Sequence, residues 1–312
     1  MKPFAFVFPG QGSQSVGMLD AWGDHPEVAA VLQESSEALG EDVGKLIKEG
    51  PKEALGLTTN TQPVMLVAGV AAYRVWLAEG GAAPSVVAGH SLGEYSALVA
   101  SGVLSLKDAV QTVRLRAAAM QEAVPVGTGA MAAVLGMNAM DVIAVCADVA
   151  VASGEIVEAV NFNDPAQTVI AGSKAGVDKA SEALKAKGAK RCLPLPVSAP
   201  FHSSLMKPAA VKLKVHLESL SFHAPQIPVV NNIDVSIETD AAKIKDALYR
   251  QAFGPVRWVE CIAAIKARGV NTVIECGPGK VLAGMCKRID AEIVSGAVFD
   301  RASLAEAKAL TA

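Results

Sequence analysis

The residues best suited to covalent chemistry lie at Gly89-His90-Ser91-Leu92-Gly93, a serine with glycine at both second neighbours. The β-branched run ending at Gly89 predicts a strand, and the helix-forming run 94–100 predicts a helix. Strand, sharp turn and helix around G-x-S-x-G make a nucleophile turn. Glycine is required at 89 and 93 because a side chain there would collide with the facing strand and helix. The turn would lift the Ser91 hydroxyl to the C-terminal edge of a sheet. It would also set it at a helix N-terminus, whose unpaired N–H groups favour developing negative charge. A plain Ser/Gly turn is the alternative, since the pattern alone recurs by chance.

A serine nucleophile needs a base within hydrogen-bond reach. The chain holds five histidines. His25 lies in a polar loop before Pro26, His216 on a helix among Lys212, Lys214 and Glu218, and His223 at the start of a strand. His90 adjoins Ser91, and on a sharp turn its ring should point away from the hydroxyl. His202, in Ser198-Ala199-Pro200-Phe201-His202-Ser203, is expected where a strand over 190–197 gives out and a helix over 205–219 begins. That placement puts it at the sheet edge carrying Ser91, and elimination selects it. Asp234 and Glu275, near strand ends, are candidates to orient the imidazole, and a backbone carbonyl would serve as well.

These residues need elements to hold them. A buried strand is expected over 4–8, followed by the loop Pro9-Gly10-Gln11-Gly12-Ser13-Gln14. Dinucleotide spacing fails there, because position 15 is serine and Gly17 comes too late. Such a loop can instead supply the second N–H of an oxyanion hole. Residues 24–57 read as short polar helices. Thr61 is expected to cap a helix with Pro63 in its first turn, running to 77 and ending at Gly80-Gly81. Ser105-Leu106-Lys107-Asp108 opens the next helix, whose apolar face is Leu106, Ala109, Val110, Val113, Ala117 and Met120. Arg114 and Arg116 fall at its two borders, and spacing does not choose between them. From 128 to 196 the order is strand, helix, strand, strand, helix, strand, a ferredoxin-like unit inserted in a larger body at 1–127 and 197–312. After it come a strand over 227–230 leading to Asn231-Asn232, helices over 240–252 and to 268, and a last core strand over 272–275. Cys276-Gly277-Pro278-Gly279-Lys280 lacks phosphate-loop spacing and reads as a turn ahead of a helix.

Composition agrees with an α/β protein. Of 312 residues 51% are hydrophobic and only 4% aromatic, which suits an aliphatic parallel sheet covered by helices. A net charge of −3 gives no reason to expect nucleic acid or an anionic membrane. The five cysteines include no C-x-x-C pair, so buried reduced thiols and no metal site are expected. The start of the sequence does not read as a signal peptide and no run is long enough to span a bilayer, so a cytoplasmic location is expected.

Taken together, seven segments resemble the malonyl-CoA:acyl carrier protein transacylases of fatty acid synthesis and the related acyltransferase domains of polyketide synthases. They are Phe8 through Gln14, Gly89 through Tyr95, Arg114 through Gln121, Val160-Asn161-Phe162-Asn163, Ser198 through Ser203, Gln251 through Trp258, and Glu275 through Gly279. They occur in family order across nearly the whole chain. The resemblance implies an α/β-hydrolase-like large subdomain with a mostly parallel sheet and a ferredoxin-like small one. It implies Ser91 as acyl-carrying nucleophile, His202 as base, and the N–H groups of Gln11 and Leu92 as oxyanion hole. It implies that the Gln251 main-chain carbonyl orients His202, and that Arg116 rather than Arg114 binds the malonyl carboxylate. The implied substrates are malonyl-CoA and acyl carrier protein, with no cofactor and a monomeric chain. A polyketide-synthase acyltransferase and a serine hydrolase are the alternatives. A non-catalytic carrier-protein-binding module is disfavoured by the intact Ser91, His202 and Arg116. Because carrier proteins of this kind are acidic, a basic patch is expected, drawn from Lys187, Lys190 and Arg191 or from Arg250 and Arg257.

Overall fold

A computed structural model describes residues 2–197 and 199–312; Ser198, which opens the segment around His202, lies outside the described residues. Side-chain alternation in the first strand, β1 (Phe4–Phe8), divides the larger body into two cores. Phe4, Phe6 and Phe8 face Tyr73 and Trp76 on one side, with Phe6 and Trp76 edge to face at 5.2 Å. Ala5 and Val7 face Trp258, Ile262 and Leu282 on the other. A strand apolar on both faces needs helices on both sides, and this is what parallel sheets provide. Truncating a fully buried ring such as Phe6 to alanine would cost about 3–5 kcal/mol.

In chain order the further strands are β2 (Val86–Gly89), β3 (Gly129–Leu135), β4 (Val157–Asp164), β5 (Gln167–Ser173), β6 (Arg191–Pro194), β7 (Val229–Val230), β8 (Thr272–Cys276) and β9 (Val294–Val298). Five of them form a parallel sheet in the order β7-β2-β1-β8-β9. The register pairs Phe8 with Gly89, Val7 with Glu275 and Ala88 with Val230. The loops after β1, β2, β7 and β8 therefore emerge together at one edge, where ligands of open α/β sheets collect. The other four form an antiparallel sheet in the order β4-β5-β3-β6, with helices Ala139–Ser153 and Lys174–Ala186 packed against it. This is the strand order of a ferredoxin-like unit. The two bodies are stitched where Phe162 N–H donates to the Val256 carbonyl (2.9 Å) and Val256 N–H to that of Val160 (2.8 Å).

Several local expectations are corrected. The helix expected to start at Thr61 spans Thr58–Ala78, so Pro63 lies inside it. Thr61 is not its cap; its hydroxyl donates to the Leu55 carbonyl (2.7 Å). The strand expected over 190–197 stops at Pro194 and belongs to the antiparallel sheet. His202 thus does not end a strand of the sheet that carries Ser91; it sits in the crossover between the two bodies. His223 opens no strand, and its N–H donates to the Val103 carbonyl (3.0 Å). The strand over 272–276 is not the last, because β9 follows on the sheet edge. Its sequence, Val-Ser-Gly-Ala-Val, carries a small polar residue and a glycine that hide its strand character. All five cysteines are buried and unpaired. No helix among the described residues is long and apolar enough to cross a membrane.

Candidate active site

Ser91 sits on the turn between β2 and helix Gly93–Ala100, with φ of 54° in the left-handed region. A non-glycine residue held there costs on the order of 1–3 kcal/mol and persists only where its surroundings insist. They do so here. A Cβ on Gly89 would lie 1.9 Å from the Gly93 carbonyl carbon, and one on Gly93 would lie 2.1 Å from the Phe8 oxygen. Strand, turn and helix are thus in backbone contact, and only glycine fits at both places.

His202 also has a left-handed φ, 66°. Its turn is tied by Phe201 N–H to the Ala199 carbonyl (3.0 Å) and by the Ser203 hydroxyl to the Pro200 carbonyl (2.6 Å). The ring reaches Ser91, with Nε2 2.7 Å from Oγ. On its other side Nδ1 faces the main-chain carbonyls of Gln251 (2.8 Å) and Gly254 (3.2 Å). Two carbonyl acceptors put the proton on Nδ1, which leaves Nε2 as the acceptor of the Ser91 hydroxyl proton. Burial first, and then the Arg116 guanidinium, push the His202 pKa down to about 3. The ring is therefore neutral, with Nε2 unprotonated. Asp234 and Glu275 play no part in holding it: Asp234 forks with Arg250, and Glu275 accepts from the Ala283 N–H.

Arg116 lies on helix Leu106–Glu122 and is only 3% exposed. Its Nη1 donates to Gln62 Oε1 (2.7 Å), and its Nη2 to Gln251 Oε1 (3.1 Å) and Ser91 Oγ (3.2 Å). Its Nε has no acceptor among the described residues, so the guanidinium keeps donor capacity. Arg114 instead turns out to an ion pair with Glu41. The two arginines that spacing left undecided are thus separated by burial.

Gln11, Leu92, Ser91, His202 and Arg116 line one pocket, together with Phe201. Neither the Gln11 nor the Leu92 N–H donates to an acceptor among the described residues. His90 points away from the pair, its Nε2 2.8 Å from Asn163 Oδ1 on β4 and its ring edge-on to Trp258. His216 is not on a freely solvated face; its Nε2 meets the Thr112 hydroxyl at 3.0 Å. Of the basic residues expected to form a patch, Lys187, Arg250 and Arg257 already pair with Asp148, Asp234 and Glu260.

Sequence reasoning missed four polar side chains under the site: Gln62, Glu94, Asn232 and the amide of Gln251. Glu94 is 2% exposed, and its Oε2 accepts from the Asn232 N–H (2.9 Å) and Gln251 Nε2 (3.0 Å). Burial raises its pKa to about 7 against those two hydrogen bonds and the charge of Arg116. The signal in the sequence is weak, because both helices carry other polar residues, Thr58 to Thr61 and Arg74 in one and Ser96 in the other. A buried polar group needs partners, which points to a site.

Residues 5–295 match the family of the acyl transferase domain. The chain is 52% identical over 98% of its length to the malonyl CoA-acyl carrier protein transacylase of Escherichia coli K12, of which it covers 99%. Its fold matches the crystal structure of the acyl-carrier-protein S-malonyltransferase of Burkholderia pseudomallei with a TM-score of 0.97 and 63% identity. That match covers 99% of this chain and 100% of that one. The same TM-score, at 51% identity and with 99% and 100% covered, relates it to a malonyl-transacylase solved in complex with its type II polyketide-synthase acyl-carrier protein. A nucleophile turn, a neutral histidine and a buried arginine at these distances, in a chain this similar end to end, place it in the acyl transferase family, among the malonyl CoA-acyl carrier protein transacylases.

Proposed function

We propose that Ser91 carries a malonyl group between the thiol of CoA and the phosphopantetheine thiol of acyl carrier protein, supplying extender units for fatty acid synthesis. The observation that carries this reading is convergence: the Ser91 hydroxyl oxygen has His202 Nε2 at 2.7 Å and Arg116 Nη2 at 3.2 Å. His202 takes the Ser91 proton as Oγ attacks the thioester carbonyl. The tetrahedral oxyanion is held by the N–H groups of Gln11 and Leu92, each worth roughly 3 kcal/mol if removed. The C–S bond then breaks, and CoA leaves with the proton from His202. The carrier-protein thiol gives its proton to His202, attacks the ester and returns Ser91, so the kinetics are ping-pong. The Gln251 carbonyl needs no acid beside it, because a fixed acceptor is enough to orient the ring.

Arg116 selects the acyl group. Its guanidinium can pair as a fork with the malonyl carboxylate. An acetyl group lacks that partner and leaves a buried cation uncompensated. The pocket lies between a large body, which we place at 1–127 and 197–312, and a small one at 128–196. The five unpaired thiols suit a reducing cytoplasm. Intact-protein mass spectrometry after malonyl-CoA treatment tests the reading. One malonyl group should add to the wild type and none to Ser91→Ala; labelling of both would refute it.

A further inference from the structure

The nucleophile turn offers three successive N–H groups, and the structure accounts for each. That of Gly93 donates to the His90 carbonyl (2.9 Å). That of Ser91 donates to Asn232 Oδ1 (2.8 Å). Leu92 alone is left without an acceptor among the described residues.

Asn232 is fully buried just past the end of β7, and its hydrogen-bonding groups are all engaged. Besides accepting from Ser91, its Nδ2 donates to the Gly89 carbonyl (2.7 Å). Its own N–H donates to Glu94 Oε2 (2.9 Å), and its carbonyl accepts from the Arg257 N–H (3.2 Å). One side chain therefore clamps both sides of the left-handed residue that bears the hydroxyl. Glu94 Oε2 also accepts from Gln251 Nε2 (3.0 Å), which in turn reaches the Ser91 carbonyl (3.0 Å). Gln251 is the residue whose main-chain oxygen meets His202 and whose side chain meets Arg116. Asn232 and Glu94 thus fasten the serine turn to the same residue that holds the histidine and the arginine.

We propose that Asn232 is a positioning residue for acyl transfer: by engaging the N–H of Ser91 and the carbonyl of Gly89, it fixes the serine's geometry and leaves Leu92 as the turn's donor to the acyl oxygen. Glu94 holds Asn232 in place and links it to Gln251. The proposal rests on the reading of Ser91 as nucleophile. Asparagine is required because the site needs an acceptor and a donor on one short planar group. Aspartate would keep the acceptor but set an anion against the Gly89 carbonyl. Alanine would leave both buried backbone groups unpaired.

The test is single-turnover acylation by malonyl-CoA, followed by rapid quench and mass spectrometry. Asn232→Asp, Asn232→Ala, Glu94→Ala and Glu94→Gln are compared with the wild type, with thermal unfolding measured in parallel. A misplacement of about 1 Å costs on the order of 100-fold in rate, so both Asn232 variants should acylate Ser91 that much more slowly. The malonyl-CoA concentration giving half-maximal rate should not move, because Arg116 is untouched. Glu94→Gln should recover most of what Glu94→Ala loses, since an amide oxygen can accept both hydrogen bonds. Wild-type acylation rates in folded Asn232→Asp, even at a lowered Tm, would overturn the proposal and leave Asn232 a structural residue only. If Asn232→Ala does not fold, the near-isosteric Asn232→Asp decides. Absence of any ester on wild-type Ser91 would instead refute the reading of the nucleophile.

Discussion

Replacing Arg116 by alanine should depress malonyl transfer far more than acetyl transfer. The guanidinium is 3% exposed and is held by Gln62, Gln251 and Ser91, so a malonyl carboxylate that reaches it leaves water behind. Removing one member of a buried ion pair costs about 3–5 kcal/mol, because the other is stranded. At about 1.4 kcal/mol per tenfold, kcat/KM for malonyl-CoA should fall between about 10² and a few times 10³. The same substitution deletes the Nη2 contact to the Ser91 hydroxyl, but that loss is shared by both substrates. Acetyl-CoA gains something back, since Arg116→Ala removes a cation that an acetyl group leaves uncompensated. The ratio of the two kcat/KM values isolates the carboxylate and should drop by roughly two orders of magnitude. Steady-state rates with both thioesters and acyl carrier protein as acceptor measure it. Arg116→Lys should fall between wild type and alanine, because it keeps the charge but not the planar fork. An equal drop for malonyl-CoA and acetyl-CoA would refute the selectivity argument.

Two further expectations concern pH. His202 is neutral down to about pH 3, so its protonation cannot set an acid limb for Ser91 acylation between pH 5 and 8. An inflection close to pH 7 would belong to Glu94, whose carboxyl is raised to about 7, and one that survives Glu94→Gln contradicts this assignment. Glu275, away from the chemistry, is also raised by burial to about 7. The native state binds its proton more tightly than the unfolded chain does. Its stabilising contribution is therefore full below the ordinary carboxyl pKa and is lost as pH rises through 7. Glu275→Gln cannot lose it, so urea unfolding should show the variant gaining on the wild type from pH 5 to pH 8 by on the order of 1–3 kcal/mol. A difference independent of pH would show that this carboxyl does not titrate as described.

What the sequence revealed and what it concealed divide along chain distance. The serine turn is legible because its pattern, a serine with glycine two residues away on each side, lies within five residues, although only the Gly89 contact is local and Gly93 is forced by the distant Phe8 backbone. The alternation of β1 is equally local. His202 was found by removing the other histidines, while the strand edge invoked for it does not exist. The Ala-Pro-Phe-His turn that presents it is fixed by hydrogen bonds that spacing does not encode. Arg114 and Arg116 border the same helix face, and only tertiary packing shows which is buried. Asn232 and Gln251 lie more than 130 residues from Ser91, and their roles arise from a buried network whose members are brought together by the fold. Glu94 and Gln62 share their helices with other polar residues, so spacing does not mark them as buried either.

The account stands on an acyl group resting on Ser91 until a thiol claims it. The direct measurement is the lifetime of the malonyl ester, followed by quench and mass spectrometry after excess malonyl-CoA is removed. The ester should map to Ser91, persist in buffer, and pass to the phosphopantetheine thiol within the turnover time once carrier protein is added. An ester that reaches water as fast as it reaches the thiol, or one that maps to another residue, would contradict it.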